Sequence, residues 1–199
     1  MNSGENVVLG LIVEGHGEEA AAPVLIRHIA QSAGLYASIK VVVRRHSKSQ
    51  LLQASELEKA IEALTRQIGR SQPVLVLMDA DDDCPKELSA NLNIRCRTSH
   101  SDVRVSIVIA KREYEAWFLA SAKSLAGKNG LVEPLDPPED PESVRGAKEW
   151  LTSNMSAGQA YSPTRHQATY SAALGLAEAR EARSFRKFEK ELGRLLDWH

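Results

Sequence analysis

At 199 residues the chain has room for one well-buried core and a modest appendage. Its 43% hydrophobic and 26% charged residues are ordinary globular proportions, which excludes wholesale disorder, and no apolar run approaches the roughly 20 residues that span a bilayer. A net charge of −1 does not mark the molecule as a whole as a polyanion binder.

The first element is Val7 to Val13, a continuous β-branched-rich apolar run of the kind expected for a strand covered on both faces. It stops at Glu14 and lacks the basic flank and small-residue cleavage site of a secretory signal. Ala22, Leu25, Ile26, Ile29, Ala30 and Ala33 then keep helical spacing, with Gly34 closing the helix and Pro23 setting its first turn apart. Ile39 to Val43 reads as a second strand. Leu57, Ala60, Ile61, Leu64 and Ile68 make the next helical stripe, and Ser55 with Glu58 has capping-box spacing.

Pro73 precedes a third buried strand, Val74 to Met78, which runs into Asp79. A polar helical segment follows, and Val103 to Ala110 supplies a fourth strand. Four strands alternating with helices predict an α/β fold with a doubly wound, mostly parallel sheet over residues 5–112. Residues 113–199 read as a helical extension packed on that core, with a Pro/Gly-rich loop at 127–141. Its aromatics Trp117, Phe118, Phe185 and Phe188 suit buried core, with a partner-contact face as the alternative. Ser184 is positioned as an N-cap. Cys84 and Cys96 form no CxxC pair and have no zinc spacing, so they read as free thiols of a reducing, cytoplasmic compartment.

Parallel sheets place ligand sites at the carboxyl ends of their strands. The first strand ends in Glu14-Gly15-His16-Gly17-Glu18-Glu19 and the third in Asp79-Ala80-Asp81-Asp82-Asp83. Were these strands neighbours, carboxylates from distant sequence would converge, and like charges held together call for a cation. Oxygen ligands of this kind suit Mg²⁺ or Mn²⁺. The spacing nominates Glu14, Glu18, Asp79, Asp81 and Asp83 as metal ligands, with Glu14 also placed for proton transfer. Gly15 to Ala20 also fits a loose GxGxxA dinucleotide pattern, but a pyrophosphate there would meet Glu14, Glu18 and Glu19.

On these residues the sequence resembles the Toprim superfamily, whose pattern is a glutamate after the first strand and Asp-x-Asp after the third. Val13 to Glu18 looks like the nuclease branch, the overcoming-lysogenization-defect family, which often carries Thr where Gly17 stands here. Lys111-Arg112-Glu113-Tyr114-Glu115-Ala116-Trp117 and Ser184-Phe185 resemble an uncharacterised bacterial family, domain of unknown function 4276. The resemblance implies metal-dependent phosphodiester hydrolysis in DNA or RNA, often beside a partner ATPase in phage defence. It also implies a lysine outside the core carboxylates, for which Lys111 and Lys148 are candidates, Lys111 being taken as the catalytic one. Arg112, Arg186 and Lys187 would hold nucleic acid, the last two from a tail whose basic excess otherwise reads as a solvated helix face. The alternative function is a non-catalytic, metal-binding regulatory or interaction module.

Overall fold

The computed structural model describes residues 7–35 and 38–198; the outer limits expected for the two regions, residues 5 and 199, lie outside that range. The elements in chain order are β1 (Val7–Val13), α1 (His16–Ser32), β2 (Ile39–Arg45), α2 (Lys48–Leu52), α3 (Glu56–Ile68), β3 (Val74–Asp79), α4 (Pro85–Ser99) and β4 (Val105–Ala110). The rest is helical: α5 (Ala116–Ala120), α6 (Ala122–Leu125), α7 (Ala147–Ser153), α8 (Pro163–Ala173), α9 (Leu176–Ala179) and α10 (Arg183–Leu195). All strand pairs are parallel, in the order β2-β1-β3-β4. The result is the expected doubly wound, Rossmann-like α/β sheet with a C-terminal helical extension.

The strand pattern explains the two layers. Successive side chains of a strand point to opposite faces, so Leu9, Leu11 and Val13 of β1 join Leu75, Leu77 and Val108 in the core that α1 covers. Ile12, Val74, Val76, Met78, Ile107 and Ile109 face α3 and α4 instead. At Gly10 a side chain would meet Leu64 and Ile68 of α3 at 2.8 Å, so the missing Cβ lets α3 lie close on β1.

The helical extension deepens the α1 layer. Tyr114, Trp117, Phe118, Tyr170, Phe185 and Phe188 are fully buried in the same core as α1 and β1. The four aromatics considered for a contact face are therefore core. Among the described residues no helix is long and apolar enough to cross a membrane.

Several local expectations change. The first helix begins earlier than its apolar stripe and runs through Pro23, which is buried in its interior; packing between the sheet and α8 outweighs the one lost helical hydrogen bond. Ser55 adopts left-handed backbone (φ 67°) and its side chain makes no capping hydrogen bond, while Glu58 pairs with Arg95 at 2.6 and 2.9 Å. The fourth strand starts at Val105, not Val103. Ser184 lies inside the first turn of α10, where its hydroxyl accepts a 2.8 Å hydrogen bond from Trp117 Nε1. The amides of Arg183 and Ser184 are instead capped by the buried carboxylate of Glu142, at 2.9 and 2.8 Å.

Candidate metal-binding active site

The order β2-β1-β3-β4 puts the reversal of winding between β1 and β3, the crevice in which open α/β sheets bind ligands. Glu14 and Asp79 flank that crevice. The Asp79 amide donates to Glu14 Oε2 at 3.3 Å, and the Lys48 amide, at the start of α2, also favours the charged form of Glu14. Burial, with the nearby charge of Asp81 adding to it, raises the Glu14 pKa above the ordinary carboxylate range despite those two amides.

Asp79 points inward. Its Oδ1 accepts from the Tyr114 amide at 2.8 Å. Burial holds its pKa well above normal, and the charges of Glu115, Glu18 and Glu14 push the same way while Lys148 opposes them. Glu18 folds back so that its carboxylate accepts from the Gly15 amide at the start of α1. The amide nitrogen of Gln167 bridges Glu18 Oε1 at 3.2 Å and Glu115 Oε1 at 2.9 Å. Glu115 is 0% exposed and also accepts from the Tyr161 hydroxyl at 3.0 Å. Lys148 lies 2.5 Å from Glu113 and 3.0 Å from Glu115 Oε2, although that oxygen has no hydrogen bond of good geometry. The helix terminus that a dinucleotide pyrophosphate would need is therefore filled by the chain's own Glu18.

The aspartate loop is neutralised residue by residue. Lys48 Nζ sits 2.9 Å from Asp81 and 3.0 Å from Asp83, and Asp82 is held by Arg112 and, at 2.9 Å, by Arg145. Among the described residues no three His, Cys, Asp or Glu side chains stand ready as ligands of one metal ion. The donor chemistry nonetheless suits a hard cation: a pair of partly buried carboxylates with raised pKa values, and the orphaned buried oxygens Glu115 Oε2 and Gln167 Oε1.

The nominated cations separate. Arg112, in left-handed backbone, serves Asp81 O and Asp82. Arg186 is turned back on the carbonyls of Arg180 and Glu181. Lys111 makes no ion pair among the described residues and lines a cleft of about 670 Å³ with Lys86, Arg183 and Lys187. A second cleft of about 720 Å³ shares Ala90, Ile107 and Lys187 with it and adds Arg97, Arg104 and Arg194. The two form one groove along β4 between α4 and α10, in which Glu142 and Glu191 are the acids.

Sequence reasoning missed Lys48, Glu115, Tyr161 and Gln167. Lys48 had a weak signal, since it follows the second parallel strand at the same sheet edge. The stretch holding Glu115 carries a family resemblance but no local sign of that residue's role, and Gln167 carries no signal.

The profile of a family described as "Domain of unknown function (DUF4276)" matches residues 13–193. The chain belongs to this family. No curated protein and no solved structure matches it. The DUF4276 match begins at Val13, immediately before Glu14, and ends at Gly193 inside α10. The strand-end carboxylates, Lys48, Glu115, Lys148 and Gln167 all fall within that single family span.

Proposed function

We propose that this DUF4276 protein is a divalent-metal-dependent phosphodiesterase, a nuclease of Toprim type acting on DNA or RNA. The observation that carries the reading is the meeting of Glu14 and Asp79 at the sheet's switch point, both with raised pKa values. Glu14 and Asp79 would hold Mg²⁺ or Mn²⁺, joined by Asp81 once it leaves Lys48. Glu18 and Asp83 stand one contact further out, on Gln167 and Lys48. When bound, the cation supplies Lewis-acid activation of water and neutralisation of phosphoryl charge.

The chain's own groups supply the rest. Glu14, half-buried with a raised pKa, holds a proton more readily than an ordinary carboxylate and is suited to take and return one. Lys148 places positive charge beside Asp79 and Glu115, which favours it over Lys111 as the lysine of the site. The cation-rich groove along β4 suits a phosphate backbone. The Toprim resemblance extends the proposal to a cytoplasmic setting, a partner ATPase and phage defence, and the free thiols of Cys84 and Cys96 suit a reducing compartment.

A non-catalytic metal-binding module is the second reading, favoured by the aspartate loop being wholly ion-paired. Cleavage of single- and double-stranded DNA and RNA with Mg²⁺ or Mn²⁺ separates the two. The nuclease reading expects wild-type cleavage that Glu14→Gln abolishes, with metal-free stability equal or higher because a strained buried charge is gone. Full cleavage by well-folded Glu14→Gln would remove Glu14 from the chemistry, and no cleavage by wild type on any substrate would favour the module.

A further inference from the structure

We infer that Lys48 is a built-in rival of the divalent cation, a tethered ammonium group that holds Asp81 and Asp83 in the absence of metal and lets them go when metal binds. The inference rests on the metal-dependent reading above and concerns how that site is regulated.

The geometry is specific. An ammonium group has three hydrogens to donate, and Lys48 Nζ has three oxygens around it: Ala80 O at 2.6 Å, Asp81 Oδ2 at 2.9 Å and Asp83 Oδ2 at 3.0 Å. None is left over for a substrate. The Lys48 side chain is only 11% exposed, whereas those of Asp81 and Asp83 are 62% and 57% exposed. The cation is thus the fixed partner and the carboxylates the accessible ones.

Its backbone is equally constrained. Ser47 caps α2, with its hydroxyl accepting from the Gln50 amide at 3.3 Å and its own amide donating to Gln50 Oε1 at 3.0 Å. Lys48 also bears on Glu14, whose charged form its amide favours.

Asp81 is held in left-handed backbone (φ 50°), a conformation uncommon for a residue other than glycine. Its amide donates to Arg112 O at 2.9 Å, so the loop is fixed at its backbone and only the carboxylate is free to exchange partners. A dication taking Asp81 would repel the ammonium beside it as well as compete for the same oxygen. A plain structural staple would instead keep its contacts whatever metal is added.

Two measurements test this on the full chain. In the first, Mn²⁺ is titrated by calorimetry into wild type, Lys48→Met, Arg145→Met and Asp79→Asn. Lys48→Met should bind Mn²⁺ on the order of tenfold more tightly, since the competing charge is gone. Arg145→Met removes a cation from exposed Asp82 and should stay within about twofold of wild type. In the second, lysine acetylation of the wild type is followed by mass spectrometry with and without saturating Mn²⁺. Lys48 should become several-fold more reactive while the exposed Lys59, paired only with Glu56, does not change.

Equal or weaker Mn²⁺ binding by folded Lys48→Met overturns the inference. If that variant does not fold, unchanged or greater protection of Lys48 in metal-loaded wild type overturns it. Absence of Mn²⁺ binding by wild type, or binding that survives Asp79→Asn, defeats the metal-site reading itself and this inference with it.

Discussion

Gly17 is the position where the motif and the helical extension meet most closely. A Cβ there would stand 2.0 Å from Gln167 Oε1 and 2.8 Å from Pro163 Cβ at the start of α8. Glycine-to-alanine changes within a helix normally stabilise by up to about 1 kcal/mol, so helix propensity alone predicts a gain for Gly17→Ala. The packing predicts the opposite sign. Gln167 is fully buried and its amide bridges Glu18 and Glu115, so it cannot swing away without unpairing buried carboxylates. Overpacking of this kind costs about 1–3 kcal/mol. Urea unfolding with linear extrapolation measures it. Gln167→Ala alone should also cost about 1–3 kcal/mol through the lost charged hydrogen bonds, and the double variant should fall short of the sum by about 1 kcal/mol, because the clash disappears with the side chain. A Gly17→Ala protein as stable as wild type, or strictly additive effects, would refute this account of the seam. The Thr of the resembling nuclease branch should be tolerated here less well than Ala.

Two further predictions concern stability. Burial alone would raise the pKa of Glu191, but hydrogen bonds from Lys187, Ser106 and Arg194 outweigh it and bring the pKa down to about 2. A depressed acid stabilises the fold above its unfolded pKa and loses that contribution as pH falls, here from about 4.5 toward about 2. Full conversion of the shift would give about 3 kcal/mol, but Lys187 and Arg194 are 51% and 57% exposed, and screening leaves about 1–2 kcal/mol. Glu191→Gln should therefore flatten the acid limb of a stability–pH curve between pH 5 and 2, and an unchanged limb would contradict the assignment. Glu142→Ala uncaps α10 and should cost about 1–2 kcal/mol in urea unfolding, with Glu142→Gln recovering part of it; no loss on Glu142→Ala would mean the carboxylate does not cap α10.

The legible parts of the molecule were those written in local order. Strands buried on both faces read as unbroken apolar runs, so β1 and β3 and the acids that follow them could be found from sequence. Their adjacency was a condition the sequence left open, and the sheet meets it by pairing β1 with β3 and setting Glu14 beside Asp79. Partners across long sequence separations were not legible. Lys48 meets Asp81 from 33 residues away and Gln167 meets Glu18 from 149, and neither residue carries a local signal that it will do so. Ser55 and Ser184 failed as caps for a related reason. Distant groups, Arg95 for Glu58 and Glu142 for the α10 amides, offered stronger charged hydrogen bonds than the local pattern did. The tail's basic excess overstates its free charge, because a basic helix can spend charge internally, as Arg180 does on Glu189 and Lys187 on Glu191.

Thermal unfolding with and without Mn²⁺ decides whether the strand-end carboxylates form a divalent-cation site. Binding only to the folded state at a hundred times the dissociation constant adds about 2.7 kcal/mol. For a chain of this size that corresponds to a rise in Tm of about 5–10 °C. We expect that rise for wild type and its loss in Asp79→Asn/Asp81→Asn. No shift in the wild type, or an undiminished shift in the double variant, would contradict such a site.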